Sequence, residues 1–315
     1  MGVLIVGSLA YDSIETPIGK VSNALGGSAT YGGLACQFHL RRLGLDQSAA
    51  VVGVVGEDFA DSDRRVLSEA GLDLRGLETV EGATFRWEGS YTGSMGEAKT
   101  NATHLNVFEH FKPRVPSAVA SPTVLFCANL HPTLQHQVMD QTEPQGVTML
   151  DSMNLWIDIA RDELQGAMER ADLVIINDGE ARMLTGDDHL PTAMEALAAS
   201  TSTSALIVKR GEHGVLALFE GRWMALPAYP VTSLVDPTGC GDSFAGTLAA
   251  HIASNGGLLD QDLLRTALES ANVTASFTLQ GFGTEGLLAI SPKRYNDRLR
   301  AYRWMVRGTD DLHNS

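Results

Sequence analysis

The chain has 315 residues, of which 44% are hydrophobic and 19% are charged, and its formal net charge is −15 at pH 7. A chain of this length can bury a large core, as one big α/β domain or as two modest ones. The negative charge argues against a nucleic-acid partner, because phosphate backbones require Lys and Arg, and a solvated acidic surface is its simplest explanation.

The cysteines and the N-terminal stretch indicate where the protein works. Cys36, Cys127 and Cys240 have no paired spacing, which predicts a reducing compartment and no disulfide framework. The apolar stretch MGVLIVGSLAYD has no basic segment before it and is too short to span a bilayer. We therefore expect a cytoplasmic protein with no membrane partner, whose first strand is buried.

Short apolar runs alternate with amphipathic stretches along the chain. The runs VLIVGSL, AAVVGVVG, TVLFCANL, GVTMLDSM, DLVIIND and ALIVKRG are typical of buried parallel strands. The stretches between them predict helices over residues 29–43, 62–70, 134–142, 158–170 and 192–200. This alternation predicts a doubly wound, mostly parallel α/β sheet flanked by helices. Ligands bind beyond the carboxyl ends of such strands, and these tips fall at Gly7, Ser8, Asn129, Asp151, Asn177 and Lys209.

Two segments interrupt this alternation, at about residues 13–25 and 74–113. The second alternates polar and apolar residues, as in ATFRWEGSYTG, which indicates antiparallel β-structure. We expect the two segments to pair into a small β-sheet lid inserted into one domain of residues 1–315. A lid would keep water away from the site; a β-insert without that role and a dimer surface are the alternatives.

The stretch LVDPTGCGDSFAGTLAAHIAS, residues 234–254, places Asp236 and Asp242 around a glycine-rich turn that leads directly into an Ala-rich helix. Such a turn presents free N–H groups and the positive end of the helix dipole, which suit a phosphate. A carboxylate beside that hole is suited to handling a proton next to a phosphate. A helix N-cap is the alternative role for Asp242.

Several other functions lack their motifs. An NAD-dependent oxidoreductase needs Gly-x-Gly-x-x-Gly after the first strand, whereas VGSLAYDS has one glycine. A Walker-type ATPase is excluded because Gly19-Lys20 lacks the upstream glycine and the following Ser or Thr. In HPTLQHQ, a spacing of five between His131 and His136 does not align them on one helix face, which disfavours a metal hydrolase.

Five elements in order resemble the PfkB/ribokinase family over nearly the whole chain: GGSATYGGLACQFHLRRLG, VVGVVGEDFADSDRRVLSEAGLD, INDGEARMLTG, LIVKRGEHGVL and VDPTGCGDSFAGTLAAHIA. The late Asp-x-x-Gly-x-Gly-Asp pattern is the most specific. The resemblance implies a ribokinase-like fold and transfer of the γ-phosphoryl group of ATP to a hydroxyl of a small sugar or sugar derivative. It also implies Mg²⁺, a monovalent cation such as K⁺, and a homodimer through the lid. A nucleoside kinase and a non-catalytic ligand-binding protein on the same scaffold are the alternatives.

The resemblance also assigns roles at the phosphate end. It makes Asp242 the base and the backbone of Gly239, Cys240 and Gly241 the anion hole. Asp236 would lie near Mg²⁺ or the monovalent cation, with an Asx turn as the alternative.

At the nucleotide end, the resemblance places Asn177 and Glu180 around the water shell of Mg²⁺, and a helix cap explains this pair as well. Further nucleotide contacts are expected at Lys209, Arg210, Gly211, Gly214 and Asn272, the last bordering the adenine. An exposed hairpin turn is the alternative for some residues of the 209–214 region.

At the acceptor end, Asp12 would grip substrate hydroxyls while Gly26 and Gly27 let the backbone approach. Tyr31 stands where many family members carry Asn. A phenol cannot replace the paired donor and acceptor of an amide, so we expect Tyr31 to stack on a ring or to pack. Asn129 and Asp151, at two strand tips, are the remaining candidates for contact with the acceptor.

Overall fold

The computed structural model of the chain describes residues 2–308. Its strands are β1 Val3–Val6, β2 Ala10–Thr16, β3 Gly19–Gly26, β4 Ala49–Gly56, β5 Asp73–Val80, β6 Phe85–Ser90, β7 Lys99–His104, β8 Val124–Cys127, β9 Thr148–Asp151, β10 Leu173–Asn177, β11 Ala205–Lys209, β12 Val215–Phe219 and β13 Arg222–Leu226. Its helices are α1 Ser28–Arg42, α2 Asp61–Ala70, α3 Pro132–Met139, α4 Asn154–Ile159, α5 Arg161–Glu169, α6 Asp178–Thr185, α7 Leu190–Ser200, α8 Cys240–Ser254, α9 Gln261–Thr278, α10 Glu285–Leu288 and α11 Pro292–Arg307.

Nine strands form the main sheet, in the order β13-β12-β11-β10-β9-β8-β1-β4-β5. Every neighbouring pair from β11 to β5 is parallel, and the pairs β11–β12 and β12–β13 are antiparallel. Because alternate residues of a strand point to opposite faces, Val3 and Ile5 pack into one apolar core and Leu4 and Val6 into another. The predicted doubly wound, mostly parallel sheet is confirmed.

The predicted helices correspond to observed ones with small shifts at their ends, except for the helix expected over residues 158–170. That stretch divides into α4 and α5 at Ala160, whose backbone leaves the helical region at φ −147° and ψ 40°. Asp162 and Glu163 lie in the first turn of α5, where negative charge is favourable. These acidic residues mark a helix start that the apolar periodicity alone does not reveal.

A second, four-stranded sheet has the order β3-β2-β6-β7. Strand β2 pairs antiparallel with β3 and parallel with β6, and β6 pairs antiparallel with β7. The expected small sheet is therefore present, although its two segments join through a parallel pair rather than an antiparallel one.

The boundary expected for the second segment of the small sheet, at about residue 74, is wrong. Asp73–Val80 is the parallel edge strand of the main sheet, paired with β4. An edge strand is partly solvated, so its alternation of polar and apolar residues resembles that of an antiparallel strand. At the other end of the segment lie Phe108, in a 3₁₀ turn at Asn106–His110, and Phe111, directly after that turn. Both side chains pack into the apolar core that contains Leu4 and Val6.

Helices α1 and α8 bring the two glycine-rich motifs together. A Cβ atom at Gly246 of α8 would collide with the carbonyl oxygen of Gly32 of α1, so glycine permits their close crossing. The N-terminus of α1 follows Gly26 and Gly27, and that of α8 follows Gly239. The crossing therefore places both N-termini at the same end of the sheet. Within residues 2–308, none of the helices combines the length and apolar character needed to cross a bilayer.

Candidate active site

Helix α8 begins in a turn that only glycine accommodates. Gly239, its N-cap residue, has φ 76° and ψ 0°, and a Cβ atom there would collide with the ring of Tyr31. In the described chain, no side chain caps this N-terminus. The Cys240 amide donates to the Pro237 carbonyl oxygen at 3.2 Å. That bond occupies one of the backbone amides expected in the anion hole. A glycine turn before an uncapped helix N-terminus is typical of an anion-binding site, and the anion hole itself stays a prediction.

Asp242 lies in the first turn of α8 with its side chain partly buried. The alternative role of N-cap is wrong, because Gly239 occupies that position. Burial raises the pKa of the Asp242 carboxyl to about 7; the negative charge of Asp151 adds to this shift and the Lys209 ammonium opposes it. Near neutral pH this carboxyl is therefore able both to accept and to release a proton.

A buried ion pair joins two residues for which separate roles were expected. Lys209, the last residue of β11, reaches across the end of β10 to Asp151 of β9, with Nζ 3.1 Å from Oδ1 and 3.0 Å from Oδ2. A Cβ atom at Gly241 would lie 2.9 Å from this Nζ. The structure therefore places the pair beside the first turn of α8.

Asn177 and Glu180 form a capping box at the N-terminus of α6. The Asn177 Oδ1 accepts from the Glu180 amide at 2.8 Å, and the Glu180 Oε2 accepts from the Asn177 amide at 2.8 Å. The helix cap considered from the sequence is thus present. Burial raises the pKa of the Glu180 carboxyl to about 7, with Lys209 opposing the shift and Asp151 adding to it.

The acidic cluster around Lys209 fits a hydrated magnesium ion better than a fully protein-bound metal. Within residues 2–308, no three His, Cys, Asp or Glu side chains form a group that could hold a metal ion. Mg²⁺ keeps several waters and uses one or two carboxylates together with substrate phosphates. The oxygen donors of Asp151, Glu180 and Asp242 have that chemistry. Coordination by Glu180 itself stays a prediction.

Asp236 holds the turn in front of α8 in place. Its side chain is buried, Oδ1 accepts from the Thr238 amide at 2.8 Å, and Oδ2 accepts from the Gly283 amide at 3.0 Å. The first of these bonds is the Asx turn that was the alternative to a cation role. Burial raises the pKa of this carboxyl, and the two amides oppose the shift. A cation contact by Asp236 stays a prediction.

On the acceptor side, Asp12 of β2 lies buried under β3. A Cβ atom at Gly26 would collide with the Asp12 carboxylate, and Gly27, with φ 96°, would place a Cβ atom 2.5 Å from the Ser8 carbonyl oxygen. The two glycines therefore let the chain close over Asp12. Burial raises the pKa of Asp12 to about 8, and the negative charges of Asp236 and Asp242 add to the shift.

Tyr31 connects the acceptor side to the anion hole. Its ring packs on Gly239, and the side chain is buried. Within the described chain, the buried hydroxyl has no hydrogen-bond partner, although it lies close enough to Asp12 to lower the pKa of that carboxyl. The packing expected for Tyr31 is thus present, and stacking on a ligand ring stays a prediction.

Asn129 is fixed by neighbouring side chains. Its Oδ1 accepts from Trp156 Nε1 at 2.7 Å, and its Nδ2 lies 3.2 Å from the Met153 sulfur. The carbonyl oxygen of Asn129 accepts from Ser28 Oγ at 3.4 Å. Asn129 therefore links the end of β8 to the segment around α4 and to the start of α1, and a contact with the acceptor stays a prediction.

The remaining residues expected to contact the nucleotide lie in two separate parts of the structure. Arg210, Gly211 and Gly214 form the tight connection between β11 and β12, in which the Arg210 amide donates to the Gly214 carbonyl at 2.8 Å. This is the hairpin turn considered from the sequence. Asn272 lies in α9, where its side-chain Nδ2 donates to the Leu268 carbonyl oxygen at 3.0 Å and its side chain contacts Tyr302 of α11. These contacts do not join Asn272 to the other candidates, and its place near an adenine stays a prediction.

Two residues that shape the turn before α8, Thr238 and Gly283, are not indicated by any sequence pattern. The Thr238 hydroxyl lies 3.0 Å from the Tyr91 hydroxyl, in the chain that follows β6. Gly283 donates to Asp236. Both contacts join segments far apart in sequence, so no local spacing indicates them. The Tyr91 contact places the small sheet beside the anion hole.

Comparisons with known proteins identify the family and the fold. The family profile described as "pfkB family carbohydrate kinase" matches residues 2–289. The chain is 25% identical over 284 residues to a cytidine kinase of Thermococcus kodakarensis, covering 86% of this chain and 95% of that relative. It is 25% identical over 303 residues to fructokinase-1 of Oryza sativa subsp. japonica, covering 88% and 91%. A solved structure of a putative ribokinase II from E. coli with ATP and Mg²⁺ superposes with a TM-score of 0.76 at 19% identity, covering 95% of this chain and 99% of that one.

Proposed function

The chain belongs to the pfkB family of carbohydrate kinases, and on that premise we propose that it transfers the γ-phosphoryl group of ATP to a hydroxyl of a small sugar or sugar derivative, with Asp242 as general base. The observation that carries this proposal is the arrangement at the start of α8. An uncapped helix N-terminus after Gly239 lies next to a carboxyl with a pKa near 7. A hole for phosphate oxygens and a proton acceptor are the two parts that this reaction needs.

In the proposed reaction, Asp242 and the N–H groups at the start of α8 have different roles. The hydroxyl oxygen of the acceptor attacks the γ-phosphorus, the bond from that phosphorus to ADP breaks, and the hydroxyl proton passes to the Asp242 carboxylate. The N–H groups at the start of α8 take up the charge on the phosphoryl oxygens. Asp151 and Glu180 are candidates to hold Mg²⁺, which would neutralise phosphate charge when bound with ATP.

The acceptor is proposed to lie between Asp12 and the anion hole. Asp242 is close enough to Asp12 for its negative charge to raise the pKa of the Asp12 carboxyl. The Tyr91–Thr238 contact keeps the small sheet against the turn that precedes α8. We propose that this sheet acts as a lid that excludes water, which would otherwise compete with the acceptor.

A nucleoside is the second candidate acceptor. The relative named as a cytidine kinase aligns over 95% of its own length, and the relative named as a fructokinase aligns over 91% of its length, both at 25% identity. These similarities support both acceptor classes, and the family description supports the sugar class.

The proposal is tested by measuring ADP release from MgATP with free sugars, sugar phosphates and nucleosides, in the presence and absence of K⁺. We expect turnover with one class of acceptor and a loss of about 10²-fold or more in Asp242→Asn, as for a lost general base. Asp262→Asn is the matched control, because Asp262 is an exposed carboxylate in the first turn of another helix, α9. Equal turnover in Asp242→Asn and the wild type would contradict the role of Asp242.

We further propose that two copies pair through the small sheet. Strands β3 and β7 are its edges, and most of their residues are exposed or partly exposed. An unpaired edge is a template for pairing with another chain. Light scattering is expected to give the mass of a dimer, and Thr100→Pro on β7 is expected to give a monomer. A monomeric wild type at micromolar concentration would refute this pairing.

A further inference from the structure

Lys209 carries a positive charge into the acidic cluster at the carboxyl end of the sheet. Its side chain is 20% exposed, and that of its partner Asp151 is 4% exposed. Burial lowers the pKa of Lys209, but the negative charges of Asp151, Glu180 and Asp242 outweigh burial and hold that pKa above its usual value. The ammonium therefore stays charged in a site where carboxylates surround it.

The ammonium lies against the helix turn that is proposed to hold the phosphoryl group. A Cβ atom at Gly241, the second residue of α8, would lie 2.9 Å from Nζ and 3.7 Å from both Cδ and Cε of Lys209. A side chain at position 241 would therefore have to displace the end of the Lys209 side chain. The N–H groups of α8 and the ammonium converge on one region, which raises its affinity for an anion.

Asp151 fixes the direction of a side chain that is otherwise flexible. Both of its oxygens accept from Lys209 Nζ, and Oδ1 also accepts from the Ser152 amide at 2.9 Å. A lysine side chain has four rotatable bonds and loses much conformational entropy if it becomes ordered only at the moment of reaction. An ion pair formed beforehand places the ammonium before the nucleotide arrives.

We propose that Lys209 is a catalytic residue whose ammonium contacts the transferring phosphoryl group, and that Asp151 is the positioning residue that directs it there. The proposal rests on the proposed phosphotransfer function and adds a cationic member to the backbone anion hole. As the acceptor oxygen bonds to phosphorus and the bond to ADP breaks, Lys209 stabilises the charge on the phosphoryl oxygens. It keeps its own protons throughout, while the hydroxyl proton goes to Asp242.

This assignment narrows the nucleotide contact expected of Lys209 to the γ-phosphoryl group, and it replaces the acceptor contact expected of Asp151. A lysine that contacted the adenosine part of the nucleotide would strengthen ATP and ADP binding equally. An aspartate that gripped the acceptor would mainly lower the KM for the acceptor. A lysine on the γ-phosphoryl group strengthens ATP binding selectively, and an aspartate acting through that lysine mainly raises kcat.

Calorimetric binding of ATP and ADP to Lys209→Met, with Mg²⁺ present, separates these roles without requiring turnover. We expect the affinity for ATP to fall about 10-fold or more, as for the loss of a hydrogen bond to a charged group, while the affinity for ADP changes less than about 2-fold. Lys293→Met is the matched control, since Lys293 is 87% exposed in an ion pair on α11. An equal loss for ATP and ADP, or no loss for either, would overturn the assignment.

Steady-state kinetics with the acceptor that the wild type uses then tests the positioning role. We expect kcat to fall about 10²–10³-fold in Lys209→Met, with partial recovery in Lys209→Arg, which keeps the charge. Asp151→Asn is expected to lower kcat about 10-fold and to leave the acceptor KM within about 2-fold. A raised acceptor KM with unchanged kcat in Asp151→Asn would refute positioning.

The two proposals fail in different ways. A wild type that binds ATP but turns over none of the acceptors contradicts the proposed phosphotransfer, whereas the ATP and ADP affinities still decide the placement of Lys209. Full activity and unchanged ATP affinity in Lys209→Met refute the inference and leave the phosphotransfer intact. If Lys209→Met does not fold, Lys209→Gln, which also removes the charge, gives the same comparison, with thermal unfolding as the check of its folding.

Discussion

Glu180 and Asp242, two acidic residues of the cluster around Lys209, differ in the hydrogen bonds that their side chains make. Both Glu180 oxygens accept hydrogen bonds from Asn177 in the capping box. Asp242 caps nothing and faces the cluster that contains Lys209 and Asp151. Similar shifts in pKa thus arise in a group used for structure and in a group available for chemistry.

The pH dependence of kcat/KM follows from the Asp242 pKa of about 7. A base must be ionised to accept a proton, and a raised pKa means that ionisation is lost already on going below neutral pH. We expect kcat/KM to fall about 10-fold per pH unit below roughly pH 6.5. The measurement is a profile from pH 5.5 to 8.5.

Glu180, whose pKa is also about 7, is the group that must be separated from Asp242. The profile of Glu180→Gln is expected to retain its acid limb near pH 7, because Asp242 is still present. A flat profile in the wild type, or a limb that disappears in Glu180→Gln, would be inconsistent with Asp242 as the base.

At the scale of elements, the crossing of α1 and α8 fixes the distance between Tyr31 and Gly239. Gly246→Ala places a methyl group against the backbone of Gly32. We expect this variant to lose about 1–3 kcal/mol of unfolding free energy through overpacking, and to lose activity because the anion hole shifts relative to Asp12. Denaturant unfolding and the ADP assay measure the two effects.

Gly256→Ala is the control for this substitution, since a Cβ atom there meets no atom within 4 Å, although its φ of 66° favours glycine. It is expected to retain activity even where it loses some stability. If Gly246→Ala matches the wild type in both measurements, the close crossing does not set the geometry of the site.

Some features of the fold follow from local sequence patterns, and others depend on contacts between distant segments. The motif at residues 236–242 and the apolar strands are local patterns, and both lie where the sequence analysis expected them. The edge strand Asp73–Val80 was misassigned because its pairing with β4 is a long-range contact. The Lys209–Asp151 pair depends on the strand order β9-β10-β11, and the Tyr31 contact with Gly239 depends on the helix crossing. Neither has a signal in the spacing of residues.

In the whole molecule, the strand order of the main sheet brings the candidate site residues together. The ends of β9, β10 and β11 bring Asp151, Asn177 and Lys209 to one edge, and the small sheet carries Asp12 to the other side of the anion hole. The chain as a whole is strongly acidic at −15. The proposed binding of an anionic nucleotide would therefore depend on local positive groups: the N-terminus of α8, Lys209 and Mg²⁺.

Following label from γ-labelled ATP into the acceptor tests whether Asp242 activates an acceptor hydroxyl at the uncapped N-terminus of α8. We expect the wild type and Asp262→Asn to form labelled phosphate ester at equal rates. We expect Asp242→Asn to form it about 10²-fold or more slowly while binding ATP as tightly as the wild type. Label released only as inorganic phosphate, or equal ester formation by Asp242→Asn, would contradict the claim.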